Sequence, residues 1–203
     1  MKVLLFEDKS IKNYILTAFS IFLFSFSAFG ASFVVNSNSD DSDTNPADNL
    51  CLDANGNCTL RAAVQQSNAL ASNDVITFAA GLPTITFTTN TEIIVSNAGT
   101  LQINCPGANV LIINGGTSFD RIFKANAATV TFADLTLTDG GTNATFGGSD
   151  PIQDGGAILA TGGSLTIQRV NITANYAGWG GGQSGIFGGG IVLNGGTHSI
   201  QNS

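Results

Sequence analysis

The stretch from Gly155 to Asn175, GGAILATGGSLTIQRVNITAN, constrains the fold because versions of it recur along the chain. Shifted by 35 residues, its SLTIQRVNITAN segment superimposes on TVTFADLTLTDG, and Ile158 falls on Phe123. Shifted by 33 residues the other way, GGAI superimposes on GGGI, and Ile167 falls on Ile200. A unit that recurs at this spacing, with two short apolar runs and glycine at its corners, indicates a repeat architecture.

The apolar residues of the unit follow the period of a β-strand. Leu165, Ile167, Val170 and Ile172 alternate with polar residues, as in half-buried strands. Strands this short cannot bury a face alone, but stacked copies about 4.8 Å apart would cover one another. We therefore predict an all-β fold, a right-handed parallel β-helix (solenoid). The alternative is a β-sandwich of similar short strands, which would contain hairpin turns.

Two glycine-rich segments, Thr138–Asp154 and Tyr176–Phe187, interrupt the repeat between matching positions. We expect both to project from the same corner, and such loops commonly carry function. Tyr176 and Trp179 are predicted to form a ligand loop because aromatic rings can stack on sugars; alternatively they pack onto the coil. Asn175 is expected to turn the chain in the left-handed conformation and to stack in an amide ladder.

Residues 1–30 are predicted to be a signal peptide. Three lysines precede the apolar run Ile15–Phe29, and Ala28 and Gly30 place small residues at positions −3 and −1 of a cut before Ala31. The run of fifteen residues is shorter than the ~20 that a membrane-spanning helix needs. We predict export to the medium or to the cell surface of a bacterial envelope, with a retained signal anchor as the alternative.

The charge of the chain argues against polyanionic partners. The formal net charge is −7, and after residue 30 four basic side chains face twelve acidic ones. Nucleic acid and anionic lipid are therefore not expected as partners. Few charges and many Thr, Asn, Ser and Gly residues suit an extracellular β protein.

An acidic loop follows the first predicted strand, Phe33–Val35. Clustered oxygen ligands on a flexible loop suit Ca²⁺, and the stretch from Asp53 to Asn57 has the alternate spacing of calcium loops without their bidentate glutamate. No cofactor is required by this interpretation, and a solvated acidic loop is the alternative. The candidate calcium ligands are Asp40, Asp43, Asp53, Asn55 and Asn57.

Three cysteines occur in the chain. Cys51 and Cys58 are close enough in sequence to close a small loop, and an exported chain meets an oxidising compartment. We predict a disulfide between them, with two reduced thiols as the alternative. Cys105, at a strand end, is expected to be a buried, small apolar side chain.

A short helix at about residues 59–71 is predicted from TLRAAVQQSNALA, with Thr59 as its N-cap. Leu60, Ala63, Val64 and Ser67 form its apolar to small face. The first coil of a β-helix would otherwise expose backbone groups and an open core. We therefore assign this helix as the N-terminal cap.

The region from Phe33 to Phe78 resembles the CSLREA domain found near the start of many bacterial exported β-helix proteins. The namesake motif reads CTLRAA from Cys58 to Ala63, with Thr for Ser and Ala for Glu. The first change keeps the capping hydroxyl, and the second leaves Arg61 without a local carboxylate partner. We assign residues 31–78 to this cap region.

Residues 79–203 are predicted to be β-helix coils, and their repeats resemble those of polymorphic outer-membrane proteins. The signatures of that family are GGAI and FxxN; Gly155–Ile158 reads GGAI, Gly188–Ile191 reads GGGI, and Ile172–Asn175 reads ITAN. The resemblance implies an exported or surface-displayed scaffold with an adhesive or binding role toward a surface ligand or carbohydrate.

The sequence stops at Ser203 in the middle of a predicted coil. We expect an N-terminal fragment of a longer protein, whose open C-terminal coil allows self-association.

The alternative function is that of a polysaccharide lyase or glycoside hydrolase, which needs paired carboxylates or calcium-binding Asp with a base. Aspartates in glycine-rich turns are common for turn reasons, and one of the candidates stands alone between strands. We therefore predict no enzyme and no catalytic residue; the residues considered were Asp134, Asp139, Asp150, Asp154, Arg169 and His198.

Overall fold

A computed structural model describes residues 30–82, 84–89, 91–116, 121–142, 155–177 and 189–203. The predicted signal peptide lies outside the described residues except for Gly30. Within these ranges the chain forms one helix, α1 (Leu60–Ala69), and is otherwise mostly β. The strands are β1 (Ser32–Val35), β2 (Asp74–Phe78), β3 (Thr84–Thr86), β4 (Ile93–Val95), β5 (Thr100–Asn104), β6 (Ile112–Asn114), β7 (Phe123–Asn126), β8 (Thr129–Ala133), β9 (Thr136–Thr138), β10 (Gly141–Thr142), β11 (Ile158–Thr161), β12 (Ser164–Gln168), β13 (Asn171–Thr173), β14 (Tyr176–Ala177), β15 (Ile191–Asn194) and β16 (Thr197–Gln201).

The strands form three larger sheets and one strand pair, and every pairing among the described residues is parallel. The first sheet has the order β1-β2-β5-β8-β12-β16, the second β13-β9-β6-β3 and the third β15-β11-β7-β4, with β10 beside β14. The chain visits these three sheets repeatedly in the same order. Hairpins would give antiparallel neighbours, so the pairing disagrees with the sandwich alternative.

The strand registers agree with the alignment of the sequence to itself. Ile158 pairs with Phe123 on one side and with Ile191 on the other. Ile167 pairs with Ile200. Residues that occupy the same place in successive units therefore lie side by side in neighbouring strands.

The core consists of columns of apolar side chains that stack from strand to strand. In the first sheet, Ile76, Ile103, Phe132 and Ile167 are consecutive partners, and all four are fully buried. The ring of Phe123, from the third sheet, lies 4.7 Å from that of Phe132 between centroids. Because burial of such a side chain stabilises a fold by about 1.5–3 kcal/mol, these columns supply most of the stability.

The corners between strands use the left-handed backbone conformation at matching positions. Glycine adopts a positive φ without strain, whereas a Cβ costs about 1–2 kcal/mol there. The residues with positive φ at three corners are Ala127, Gly162 and Gly195; Asp134, Arg169 and Asn202; and Asp139 and Ala174.

One of these corners offers a matched pair of substitutions. Ala127→Gly is expected to raise the free energy of unfolding by about 0.5–1 kcal/mol, because relief of strain exceeds the added unfolded-state entropy. Gly162→Ala is expected to lower the free energy of unfolding by about the same amount. Its new Cβ would lie 3.8 Å from the nearest atom, so this substitution introduces backbone strain without a steric clash. Urea unfolding of both variants measures these changes. Two changes in the same direction would contradict the prediction.

The expectation for Asn175 was wrong, because the left-handed residue is its neighbour Ala174. The side chain of Asn175 does not stack on another amide, since the matching position one layer away is Gly140. Instead its Oδ1 accepts from the N–H of Gly140 at 2.8 Å, and its Nδ2 donates to the carbonyl oxygens of Leu137 and Thr173. The amide therefore ties two layers together through their backbones.

Helix α1 begins and is buried as its sequence indicates. Thr59 is the N-cap, and its Oγ1 accepts from the N–H of Ala62 at 3.0 Å. Leu60, Ala63 and Val64 are buried in the core. The helix lies against β1, β2 and β4, and so sits at the edge strands β1 and β4 of the first and third sheets.

Candidate functional site

Arg61 joins the acidic loop, α1 and the segment before β4 in one buried cluster. Its Nε donates to Oδ1 of Asp40 at 2.8 Å, and the two side chains are 6% and 1% exposed. Its Nη1 and Nη2 donate to the carbonyl oxygens of Glu92 and Thr91 at 3.2 and 2.9 Å. The guanidinium also lies over the ring of Phe87, 5.3 Å from its centroid. The ion pair is thus fully supplied with partners, as a buried charge requires.

Side chains from the loop and helix also satisfy backbone groups that lack a neighbouring strand. Oδ2 of Asp40 accepts from both N–H groups of Thr88–Thr89 at 3.0 Å. Asn68, on α1, donates to the carbonyl oxygen of Ile94 at 2.7 Å and accepts from the N–H of Ser96 at 2.8 Å. An edge strand with bare backbone groups invites pairing with another chain, and these contacts remove that opportunity at β4.

The sequence around Arg61 contains no carboxylate to pair with it, and in the structure its partner is the distant Asp40. Ala62 stands where the motif has glutamate, but the carboxylate of Asp40 comes from 21 residues earlier in the chain. A buried arginine needs a carboxylate partner, and the acidic loop offers several. The sequence did not show which of the loop aspartates would reach it.

The candidate calcium ligands Asp40 and Asp43 have different surroundings. Both oxygens of Asp40 are engaged in the arginine cluster. Asp43 accepts from the N–H groups of Asn45 at 2.7 Å and Leu52 at 3.3 Å, so it organises the loop itself.

The other candidates, Asp53, Asn55 and Asn57, form a tight turn. Oδ1 of Asp53 accepts from the N–H groups of Asn55 and Asn57, both at 2.8 Å. Oδ2 of Asp53 is buried and has no hydrogen bond among the described residues. No group of three or more His, Cys, Asp or Glu side chains placed to hold a metal ion occurs in the described part of the chain. Calcium binding stays a prediction.

The acidic loop surrounds the side-chain amide of Gln66, a residue whose role the sequence did not predict. Its Nε2 donates within a ring of three oxygens, the carbonyl of Asn45 at 3.0 Å, Oδ1 of Asp48 at 2.9 Å and the carbonyl of Leu50 at 2.8 Å. Gln66 is fully buried although it is polar. The periodicity gave no signal for this burial, because Gln66 lies beside the face formed by Leu60, Ala63, Val64 and Ser67 and is covered by the distant acidic loop.

Cys51 and Cys58 are joined by a disulfide that closes the Asp53 turn. Cys58 is buried and directly precedes the N-cap, and its N–H donates to Oδ1 of Asn36 at 2.9 Å. The disulfide therefore links the acidic loop to the start of α1.

Replacement of both cysteines by serine is expected to lower the free energy of unfolding by about 2.5 kcal/mol, from the entropy of the opened loop. Urea unfolding of the variant and of the oxidised protein measures the loss. Cys105→Ser is the control, since that thiol lies outside the loop. An equal loss in the control would contradict the prediction.

A pocket of about 270 Å³ lies between α1 and β4. Its walls include Arg61, Gln65, Asn68, Glu92 and Ile94. The pocket has a polar wall from the helix and one exposed apolar side chain, Ile94, from the strand. It offers room for a small solute beside groups that join α1 to β4 and to the residues before β4.

Glu92 carries the negative charge of this pocket and is itself paired. Its Oε2 lies 2.9 Å from Nε of Arg121, and its Oε1 lies 3.8 Å from Nζ of Lys124. The pairs connect the residue just before β4 to β7 and to the segment that precedes β7. The carboxylate of Glu92 is therefore a paired charge in the wall of the pocket.

The enzyme candidates Asp134 and Arg169 form an exposed ion pair with each other. Nε and Nη2 of Arg169 donate to the two carboxylate oxygens of Asp134, each at 2.6 Å. Both residues occupy the same left-handed corner in successive layers. Burial raises the pKa of the neighbouring Cys105 thiol, and the charge of Asp134 adds to that rise, so this partly buried thiol stays protonated.

The remaining candidates are dispersed. Asp139 accepts from Nδ2 of Asn114 at 2.7 Å. His198 pairs with Leu165 in the register of β12 and β16, and its Nδ1 accepts from the N–H of Leu165 at 3.2 Å. Asp150 and Asp154 lie outside the described residues.

The Asp134–Arg169 pair predicts a pH dependence. The hydrogen bonds from Arg169 lower the pKa of the Asp134 carboxyl below its ordinary value of 3.8. The ion pair therefore contributes to the free energy of unfolding above pH 3.8, and this contribution is lost as the pH falls through the lowered pKa of Asp134. We expect the difference in Tm between the native protein and Asp134→Asn to shrink on acidification below that value. A difference that grows there would contradict the assignment.

Tyr176 is placed where the two glycine-rich segments begin. It pairs with Gly141 in the parallel β10–β14 pair. A Cβ at Gly141 would lie 2.5 Å from the tyrosine ring, so the ring occupies space that only glycine leaves free at this position. The ring is 47% exposed. Trp179 lies outside the described residues.

Comparisons of the chain with protein-family models, curated proteins and solved structures find no match. The resemblances to the CSLREA domain and to polymorphic outer-membrane protein repeats therefore stay predictions that rest on the residues. In the described ranges, no helix is both long enough and apolar enough to traverse a bilayer.

Proposed function

We propose that this chain is an exported β-helix scaffold that displays a binding surface for a carbohydrate or another surface ligand. The cyclic order of the three parallel sheets supports winding of the strands into a solenoid. Because parallel crossovers are almost always right-handed, the winding is right-handed. In this proposal α1 and the acidic loop cap its first coil.

The observation that carries the binding role is the register of β10 with β14. Gly141 pairs with Tyr176, and Thr142 with Ala177, so the described residues at the start of the two glycine-rich segments lie side by side. The chain returns to the third sheet at β11 and β15, which also pair in register. A rigid scaffold that presents two adjacent loops is a common arrangement for recognition.

Export to the medium or the cell surface is supported by independent features. The disulfide between Cys51 and Cys58 requires an oxidising compartment to persist. The acidic net charge of −7 disfavours nucleic acid as a partner. The proposal needs no cofactor, and a calcium-dependent rise in Tm that EGTA reverses would reveal a supporting role for that ion.

The proposal is tested by glycan-array binding of the exported protein and of variants in the two segments. Tyr176→Ala and Trp179→Ala are expected to weaken binding, and shortening residues 143–154 or 178–188 to a Gly-Ser linker to abolish it. Val110→Ala, which truncates an equally exposed apolar residue elsewhere, is the matched control. Undiminished binding by both shortened variants would overturn the proposal. Release of reducing or unsaturated ends from a bound polysaccharide would instead support an enzyme.

A further inference from the structure

Asp74, the first residue of β2, is a buried carboxylate whose hydrogen-bond donors are all neutral. The residue is 0% exposed. Its Oδ1 accepts from the hydroxyl of Ser72 at 2.5 Å and from the backbone N–H of Ala31 at 2.8 Å, and its Oδ2 accepts from Nδ2 of Asn97 at 2.9 Å. No Lys, Arg or His side chain of the described ranges forms an ion pair with it. Because a buried charge without a counter-charge is costly, this site calls for a cation.

The end of α1 adds negative potential near the same carboxylate. Nδ2 of Asn97 also donates to the carbonyl oxygen and to the hydroxyl of Ser67, at 2.8 and 2.7 Å, and so joins the last turn of α1 to Asp74. The carbonyl groups at the end of a helix carry a partial negative charge that favours a cation. The carboxylate and the helix end therefore favour a positive charge at the same place.

The predicted cut by a signal peptidase generates such a charge at Ala31. Before the cut, the nitrogen of Ala31 belongs to the amide bond that joins it to Gly30. Hydrolysis adds one water across this bond, so Gly30 leaves with a new carboxylate and the nitrogen of Ala31 becomes an α-ammonium group at neutral pH. The atom that lies 2.8 Å from Oδ1 of Asp74 then carries a full positive charge.

Contacts on the C-terminal side of this nitrogen hold Ala31 in place. Its carbonyl oxygen accepts from the N–H of Val75 at 2.9 Å, where the β1–β2 ladder begins. Its side chain is partly buried and packs against the apolar core. These contacts do not involve the residues that the cut removes, so the new amino group stays beside Asp74.

We propose that removal of the signal peptide creates a buried ion pair between the α-ammonium group of Ala31 and the carboxylate of Asp74. This inference rests on the export that we propose above. The precursor has only a neutral N–H at this position, so the chain reaches its full stability after the cut. The pair fastens the start of β1 to β2 and, through Asn97, to the last turn of α1.

Two exported chains that differ by one glycine test the proposal. One has the native sequence, and the other carries an extra glycine between Gly30 and Ala31. A cut after Gly30 then leaves Ala31 with an amide nitrogen, which keeps its hydrogen bond to Asp74 but has no charge. The added residue is glycine because a Cβ at the position before Ala31 would lie 1.7 Å from the carbonyl oxygen of Asn73. Intact mass identifies the first residue of each exported chain.

The extra glycine is expected to lower the Tm by roughly 5–10 °C, the effect of removing one charge from a buried pair. In the Asp74→Asn background, the same insertion is expected to change the Tm by less than about 2 °C, since no carboxylate remains to pair. A loss of the same size in both backgrounds would overturn the ion pair, because the loss would then come from the added residue itself.

Amine labelling tests the pair without any change at Asp74. After residue 30 the chain contains a single lysine, Lys124, so the α-amino group and Lys124 are the two amines to label, and Lys124 is the internal reference. A neighbouring carboxylate raises the pKa of an amine, and each unit lowers the reactive neutral fraction tenfold. The native α-amino group is therefore expected to react at least about tenfold more slowly than that of the glycine variant. Equal rates would overturn the pair.

The position of the cut separates this proposal from those on which it rests. A native chain that retains residues 1–30 would overturn both export and the ion pair. A native chain that begins at Ala31 but shows equal labelling rates would overturn the pair alone. Glycan binding enters neither measurement, so its failure would leave the pair standing.

Discussion

Arg61→Met is expected to lower the free energy of unfolding by about 3–5 kcal/mol. The substitution keeps the apolar bulk of the side chain but leaves the carboxylate of Asp40, 1% exposed, without its cation. Removing one member of a buried ion pair costs this much because the remaining charge is left uncompensated in a medium of low polarity. The carbonyl oxygens of Thr91 and Glu92 also lose their donors.

Urea unfolding of Arg61→Met and of Arg169→Met measures this difference directly. Arg169→Met is the matched control: it also removes an arginine that pairs with an aspartate, but its side chain is 53% exposed. Exposed pairs are screened by solvent, so the control is expected to lose far less. Adding Asp40→Asn to Arg61→Met is expected to restore part of the loss, because the uncompensated charge is then absent. Equal losses in the two arginine variants would contradict the buried-pair account.

The strands and their registers could be predicted from the sequence because stacking demands that like positions meet. Ile158 pairs with Phe123 and Ile191 as the self-alignment places them. Apolar alternation is a local signal, and in a stack each strand covers its neighbour with the same pattern. The N-cap at Thr59 was equally readable, because a capping hydroxyl acts within one turn.

The contacts of the candidate site were less predictable because they join distant segments. Asp40 reaches Arg61 across 21 residues, and several neighbouring aspartates were equal candidates by sequence. Asp134 and Arg169 are separated by 35 residues, which equals the repeat offset. The self-alignment therefore superimposed opposite charges at one corner, and that signal was missed because the corner positions were considered one at a time.

The turn residues show why local propensity fails at the corners. Asn175 has the side chain that best tolerates a positive φ, yet Ala174 adopts it. The backbone path is fixed by the strands on both sides, which pair with neighbours above and below. The position of the turn is therefore decided by register, and Asn175 is used instead to bind the backbone of Gly140.

Phe132→Ala is expected to lower the free energy of unfolding by about 3–5 kcal/mol. Phe132 is fully buried at the centre of the first-sheet column, between Ile103 and Ile167, and its ring packs on that of Phe123. Truncation removes buried apolar surface and leaves a cavity that parallel strands hydrogen-bonded on both sides cannot close. Urea unfolding of the variant measures the loss.

Two further residues of the same column serve as controls. Ile167 and Ile200 occupy the position of Phe132 in the next two strands of the first sheet but differ in burial. Ile167→Ala, one layer from Phe132 and also fully buried, is expected to cost about 2–5 kcal/mol. Ile200→Ala is expected to cost less than about 1 kcal/mol, because that residue is 53% exposed and its truncation removes little buried surface. Equal losses at all three positions would contradict a core built of stacked columns.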